Sequence, residues 1–166
     1  MIVRKPRLCI LLFALFAGRM ASGQNPTTNE SRPREIVFVC EHGAALSVVS
    51  AAYFNKLAHE QHLGFHAVPR GVTPQENLSS QAAAGLKNDG LAPEIEKPLR
   101  LSKTELGDAD RVVTFFPIPE EYATKTPVEN WSDVTWGPGS YEKSRDAILR
   151  HMQELLSRLK AETKKP

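Results

Sequence analysis

The chain has 166 residues and a formal charge of +2 at pH 7, enough length for one domain with a full core. Apolar residues make up 41% and charged residues 24%, an ordinary globular balance that argues against a disordered or fibrous chain. So small a net charge gives no basis for nucleic acid or an acidic membrane as partner.

In chain order, the first stretch resembles a targeting segment. Arg4, Lys5 and Arg7 form a positive n-region, residues 8–17 an apolar h-region, and Ala21-Ser22-Gly23 supplies small residues at a cleavage point. A signal peptide over 1–23 with cleavage before Gln24 is expected, so the protein is exported, either to a periplasm or outside the cell. An uncleaved N-terminal anchor is the alternative, but the apolar run is short for a bilayer span, and no stable membrane insertion is expected after cleavage. Cys9 sits at the front of the h-region and is poorly placed for lipidation. Removing the signal leaves Cys40 as the single cysteine, so the mature chain makes no internal disulfide. A lone thiol of this kind is either reactive or a buried space-filler.

Residues 24–34 are polar with two prolines and read as a flexible linker, followed by a domain over 35–163. Residues 36–39 are a continuous apolar, β-branched run, the pattern of a strand buried on both faces. Residues 47–62 read as a helix, with Gly64 as its C-cap. A second strand covers 65–68 and closes on Pro69-Arg70-Gly71. Asn77 is the expected N-cap of a helix through Leu86, ended by Asn88-Asp89-Gly90. Ser102 and Glu105 match a capping box for a short helix. "RVVTFF", 111–116, is a third strand, and a short helical turn is expected near Glu120. Residues 128–133 form a fourth strand and 134–139 a glycine- and proline-rich turn. Ser140 then caps a final helix whose apolar stripe is Tyr141, Ile148, Met152, Leu155, Leu156 and Leu159.

Strands alternate with helices throughout, which predicts a single α/β domain built on an open, mostly parallel sheet with helices on both faces. Ligands of such sheets bind beyond the carboxyl ends of the strands, where the connection order reverses. Cys40 stands at that end of the first strand. Six residues separate it from Ser47, with Gly43 near the middle. A loop of this size closing onto a helix can aim several backbone N–H groups at one anion, and it favours a thiolate for the same reason.

"VFVCEHGAALS" resembles the signature of the low-molecular-weight protein-tyrosine phosphatase superfamily, which also holds the thioredoxin-coupled arsenate reductases. That signature is a strand, a cysteine, five residues, an arginine and a serine. "AVPRGVTP", "SSQAAAGLKNDGLAPEIEKPLRLSKTELGDADRVVTF", "VENWSDV" and "GSYEKSRDAILRHMQELLSRL" resemble the family's later strands and helices in the same order. The resemblance implies a four-stranded parallel sheet. It implies Cys40 as nucleophile, Ser47 as its support, and the backbone of Glu41, His42, Gly43, Ala44, Ala45 and Leu46 as an oxyanion loop. It implies a phosphate-like oxyanion or phosphorylated substrate as partner, with no cofactor and no metal.

The departures are equally specific. Leu46 occupies the arginine position, so the loop lacks the guanidinium that grips two phosphoryl oxygens. The family's general acid is an aspartate after the fourth strand, and Asp133 is the only acid in that segment. It sits earlier than the motif places it and also suits a strand-end turn. Arg70, at the end of the second strand, and His42, inside the loop, are the candidate replacement cations; a solvated surface arginine is the plainer account of the first. Cys40-Glu41-His42 holds too few ligand types for a metal site, and His59, His62 and His66 read as surface histidines. No second cysteine serves a disulfide relay. Three functions follow: weak phosphomonoester hydrolysis through a Cys40 thiophosphate, a non-catalytic oxyanion- or partner-binding module, or a single-thiol redox or metal-contact protein.

Overall fold

The computed structural model describes residues 34–163. The expected signal peptide and nearly all of the linker lie outside the described residues. Four strands form one sheet: β1 (Arg34–Cys40), β2 (Phe65–Gly71), β3 (Arg111–Thr114) and β4 (Val128–Asn130). Their order is β2-β1-β3-β4 and every pairing is parallel. The open, four-stranded parallel sheet is therefore present as expected. β1 begins one residue before the expected linker boundary, because the Arg34 N–H donates to the Gly64 carbonyl at 3.0 Å.

The alternation along β1 divides the core. Ile36, Phe38 and Cys40 face one layer, where helices α1 (Leu46–Glu60), α2 (Ser80–Asn88) and α4 (Tyr141–Thr163) cover the sheet. Val37 and Val39 face the other, beneath Leu106 of the short helix α3 (Lys103–Asp108). Residues 36–39 are fully buried, as a strand covered on both faces requires. The α4 stripe is buried throughout its length, and Phe38 packs against both Phe54 and Trp131, with ring centroids 6.0 and 5.6 Å away. The expected turn near Glu120 is a single 3-10 turn over Glu120–Tyr122.

Element ends differ from the sequence expectation for identifiable reasons. α1 stops at Glu60, and the left-handed residue that closes it is His62 (φ 53°), not Gly64. The N–H of Leu63 reaches back to the Ala58 carbonyl (2.9 Å) and that of His62 to the His59 carbonyl (3.1 Å), the Schellman arrangement. Ser79, rather than Asn77, caps α2, its hydroxyl accepting from the Ala82 N–H. β4 ends at Asn130, whose side chain accepts from the Ser132 N–H and turns the chain. Ser140 does not cap α4 with its side chain. That hydroxyl folds back onto the N–H and carbonyl of Gly137, while the Gln81 amide, assigned with its oxygen toward the helix start, accepts from the N–H groups of Gly139, Ser140 and Tyr141 at 3.2, 2.8 and 3.1 Å. The capping box of α3 forms as expected, with Glu105 also holding Arg70.

Candidate functional site

β1 runs from the buried sheet to its carboxyl edge and delivers Cys40 there. The chain passes from one side of β1 to the other between β2 and β3, so Cys40 lies at the switch point of the sheet. Residues 41–45 then form a loop, and α1 opens at Leu46 with no side-chain cap on its first N–H groups.

The loop is shaped by what its carbonyls do. Those of Cys40, Glu41, His42, Ala44 and Ala45 accept from the N–H groups of Val72, Thr73, Gln75, Ser79 and Val49. Their engagement turns the N–H side of the loop inward. The Gly43 N–H donates to Cys40 Sγ at 3.2 Å, and Ser47 Oγ lies 3.1 Å from the same sulfur. Among the described residues, the N–H groups of Ala44, Ala45, Leu46 and Ser47 meet no protein acceptor. Unfilled donors around a thiol at a helix start favour a negative charge in front of it.

Gly43 adopts φ +62°, and its α-carbon lies directly above Gly71 at the end of β2. A β-carbon on Gly71 would stand 2.6 Å from the Gly43 nitrogen, and one on Gly43 would stand 2.8 Å from the Gly71 nitrogen. Gly71 is fixed from behind by Leu99 and Leu101. The pair of glycines therefore lets the loop sit on the strand end, a relation only Gly43 signalled in sequence.

Cys40 is 7% exposed and opens onto a cavity of about 640 Å³. The loop supplies one wall through Cys40, Glu41, His42, Ala44, Ala45 and Leu46. Gln75, Ser79 and Ser80 form the second wall, Phe115 and Phe116 the third, and Ser132, Val134, Thr135 and Trp136 the fourth. The aromatic wall arises because β3 ends at Thr114, whose hydroxyl donates to the Phe116 carbonyl and bends the chain across the cavity. Leu46 is nearly buried against the main core and contributes an apolar surface where a guanidinium would stand in the family pattern.

Two of the expected site residues lie elsewhere. Arg70 does not line the cavity. Its strand neighbour Val39 belongs to the α3 side of the sheet, and its guanidinium binds Glu105 (2.6 Å) and the Pro69 carbonyl (2.8 Å). Burial opposes ionisation of Glu105, but the Arg70 and Ser102 hydrogen bonds outweigh it and hold the carboxyl below the usual glutamate range. Asp133 does not line the Cys40 cavity and lies instead in a separate depression with Lys143 and Arg150. His151 Nε2 lies 2.9 Å from both of its oxygens and lowers its pKa, while the His151 ring stacks on Trp131 at 5.0 Å. Asp133 is thus the strand-end turn residue of the two alternatives.

A second polar cluster supports the back of the site and was not signalled by any motif. Tyr53 and Tyr141 both donate to Asp89 Oδ2 (2.6 and 2.7 Å), and Arg145 approaches the same carboxylate at 3.3 Å. The two phenol hydrogen bonds hold Asp89 below the usual aspartate range, and burial pushes the Tyr141 phenol well up. The cluster ties α1, α2 and α4 together, and Tyr141 also meets Trp136 of the cavity edge-on. Gly85 leaves room for the Tyr141 ring. Among the described residues no group of three or more metal-ligating side chains converges, and no helix is long and apolar enough to cross a membrane.

A thiol held at the end of the first strand of a parallel sheet, inside a loop that opens a helix, defines a cysteine-loop α/β protein. No protein-family model and no curated protein sequence matches the chain. Solved structures do. An arsenate reductase from Archaeoglobus fulgidus superposes with a TM-score of 0.60 at 27% identity, over 74% of this chain and 98% of its own. A low-molecular-weight protein tyrosine phosphatase from T. tengcongensis gives 0.63 at 18% identity, over 75% and 99%. YfkJ from Bacillus subtilis gives 0.68 at 17%, over 80% and 97%. The chain thus shares its fold with low-molecular-weight protein tyrosine phosphatases and arsenate reductases.

Proposed function

We infer that the protein is an exported, phosphatase-like oxyanion-binding protein in which Cys40 attacks a phosphomonoester slowly. The observation that carries this reading is the double support of the sulfur by the Gly43 N–H and Ser47 Oγ on the floor of an open cavity. In the hydrolytic reading the Cys40 thiolate attacks phosphorus, the P–O ester bond breaks and the leaving oxygen takes its proton from solvent water, and a second water then attacks the thiophosphate, releasing phosphate and the thiolate. The loop N–H groups hold the equatorial oxygens. Leu46 provides none of the charge that normally steadies the transition state, and loss of one such donor costs on the order of a hundred- to a thousandfold in rate. Export rests on the basic, apolar and small-residue pattern of residues 1–23.

A binding module without turnover is the second reading. It is favoured by one observation: neither Arg70 nor Asp133 lines the cavity, so among the described residues the site has no guanidinium and no aspartate acid. Steady-state hydrolysis of a chromogenic aryl phosphate separates the two. Slow turnover that disappears in Cys40→Ser supports the enzyme. Phosphate-dependent thermal stabilisation without turnover supports the binder, and neither effect rejects the site.

A further inference from the structure

We propose that His42 is the cation of this oxyanion site, so that anion binding at the Cys40 loop takes up a proton. The proposal rests on the oxyanion-binding reading above and names what replaces the missing guanidinium. Three observations lead to it. First, among the described residues His42 is the one side chain lining the cavity that can carry positive charge; the segments after β2, β3 and β4 give the cavity only neutral side chains. Second, the two other candidates are committed: position 46 is leucine, and Arg70 is bound to Glu105 on the opposite face of the sheet. Third, His42 is held in place. Its carbonyl accepts from Gln75, and its Nδ1 lies 3.3 Å from the Thr73 carbonyl. A carbonyl only accepts, so Nδ1 carries hydrogen and Nε2 is the ring's free nitrogen. Nε2 becomes a charged donor when the imidazole takes up a proton.

The charges around His42 set the sign. From its own loop come Cys40 and Glu41. From the segment packed against it come Thr73 and Gln75, both uncharged; Glu76 is exposed and off the cavity, and Arg100, which donates to the Val72 carbonyl at 2.8 Å, is also absent from the cavity lining. With His42 neutral and the Cys40 thiol set aside, the charge on the cavity side chains among the described residues is the Glu41 carboxylate, which repels an anion. With His42 protonated, that charge is balanced. A bound anion therefore favours the imidazolium, and affinity falls as pH rises through the histidine range.

Sulfate is the suitable probe because its charge does not change in that range. Binding is followed by thermal stabilisation and tryptophan fluorescence in a Cys40→Ser background, which removes the thiol's own titration, at about pH 5.5 and about pH 8. Sulfate should bind the parent at least about tenfold more tightly at the lower pH, the scale of one charge-assisted hydrogen bond. His42→Gln removes the ring that takes up the proton and should show the weak affinity at both pH values. Leu46→Arg added to His42→Gln should restore binding at both. A parent whose affinity is the same at both pH values, or a His42→Gln variant that keeps the fall, overturns the role of His42. The arginine variant then decides the underlying reading: if it is folded and binds sulfate, the loop is still an oxyanion cradle, and if it does not, both inferences fail.

Discussion

Gly71→Ala tests the link between the sheet and the reactive loop. The added methyl carbon would stand 2.6 Å from the Gly43 nitrogen, 2.8 Å from the His42 carbonyl carbon and 2.9 Å from the Gly43 α-carbon, all backbone atoms that cannot swing aside. Ordinary contact needs about 3.4 Å, so the loop has to lift by about 0.8 Å. Lifting Gly43 lengthens its 3.2 Å hydrogen bond to Cys40 Sγ past the point where it holds. Overpacking of this kind costs about 1–3 kcal/mol, and the loss of glycine freedom in the unfolded chain returns about 0.4–1 kcal/mol. The expected net loss is about 1–2 kcal/mol in urea unfolding. Alkylation of native Cys40 by iodoacetamide should slow roughly tenfold, because the thiolate loses one donor. Gly107→Ala is the control: it lies within α3, has no atom within 4 Å of the new carbon, and should be neutral or stabilising by about 0.5–1 kcal/mol. A Gly71→Ala protein with parental stability and alkylation rate would refute the close approach of strand and loop.

Asp89→Asn removes the charge that accepts from two phenols and should cost about 1–2 kcal/mol near neutral pH. Because folding lowers the Asp89 pKa, its contribution is present above the ordinary aspartate value of about 3.9 and is lost as pH falls through the lower folded value, so urea midpoints of parent and variant should converge in acid. Arg70→Met should lower stability through the orphaned Glu105 yet leave sulfate affinity unchanged, and a loss of affinity in a folded variant would return Arg70 to the site. Phe38→Ala, which empties the space between Phe54 and Trp131, should cost about 3–5 kcal/mol by urea unfolding.

The sheet was legible because its signals are local and strong. The run at 36–39 cannot be satisfied except between two layers, and the stripe on α4 leaves only one face to bury. Cys40, Gly43 and Ser47 were legible as a loop because strand, turn and helix start follow one another directly. What the sequence hid depends on distance. Arg70 stands at the right edge of the sheet, but side chains alternate along a strand, and pairing with Val39 turns it toward Glu105. The capping box announced Glu105 as a helix cap and gave no hint that its second oxygen holds that arginine. Asp133 lies in the right segment, yet the early turn at Asn130 rotates it toward His151. Gly71 matters only because Gly43, distant in sequence, rests on it.

Whether Cys40 acts as a nucleophile in an anion-receiving loop is read from the mass of the protein after brief mixing with an aryl phosphate and quenching in denaturant at alkaline pH, where a thiophosphate survives, followed by peptide mapping. A phosphoryl adduct is expected on the peptide carrying Cys40, absent from Cys40→Ser and more abundant in a folded Leu46→Arg variant. An unmodified Cys40 peptide in both parent and Leu46→Arg, with each protein folded and the substrate intact, would contradict it.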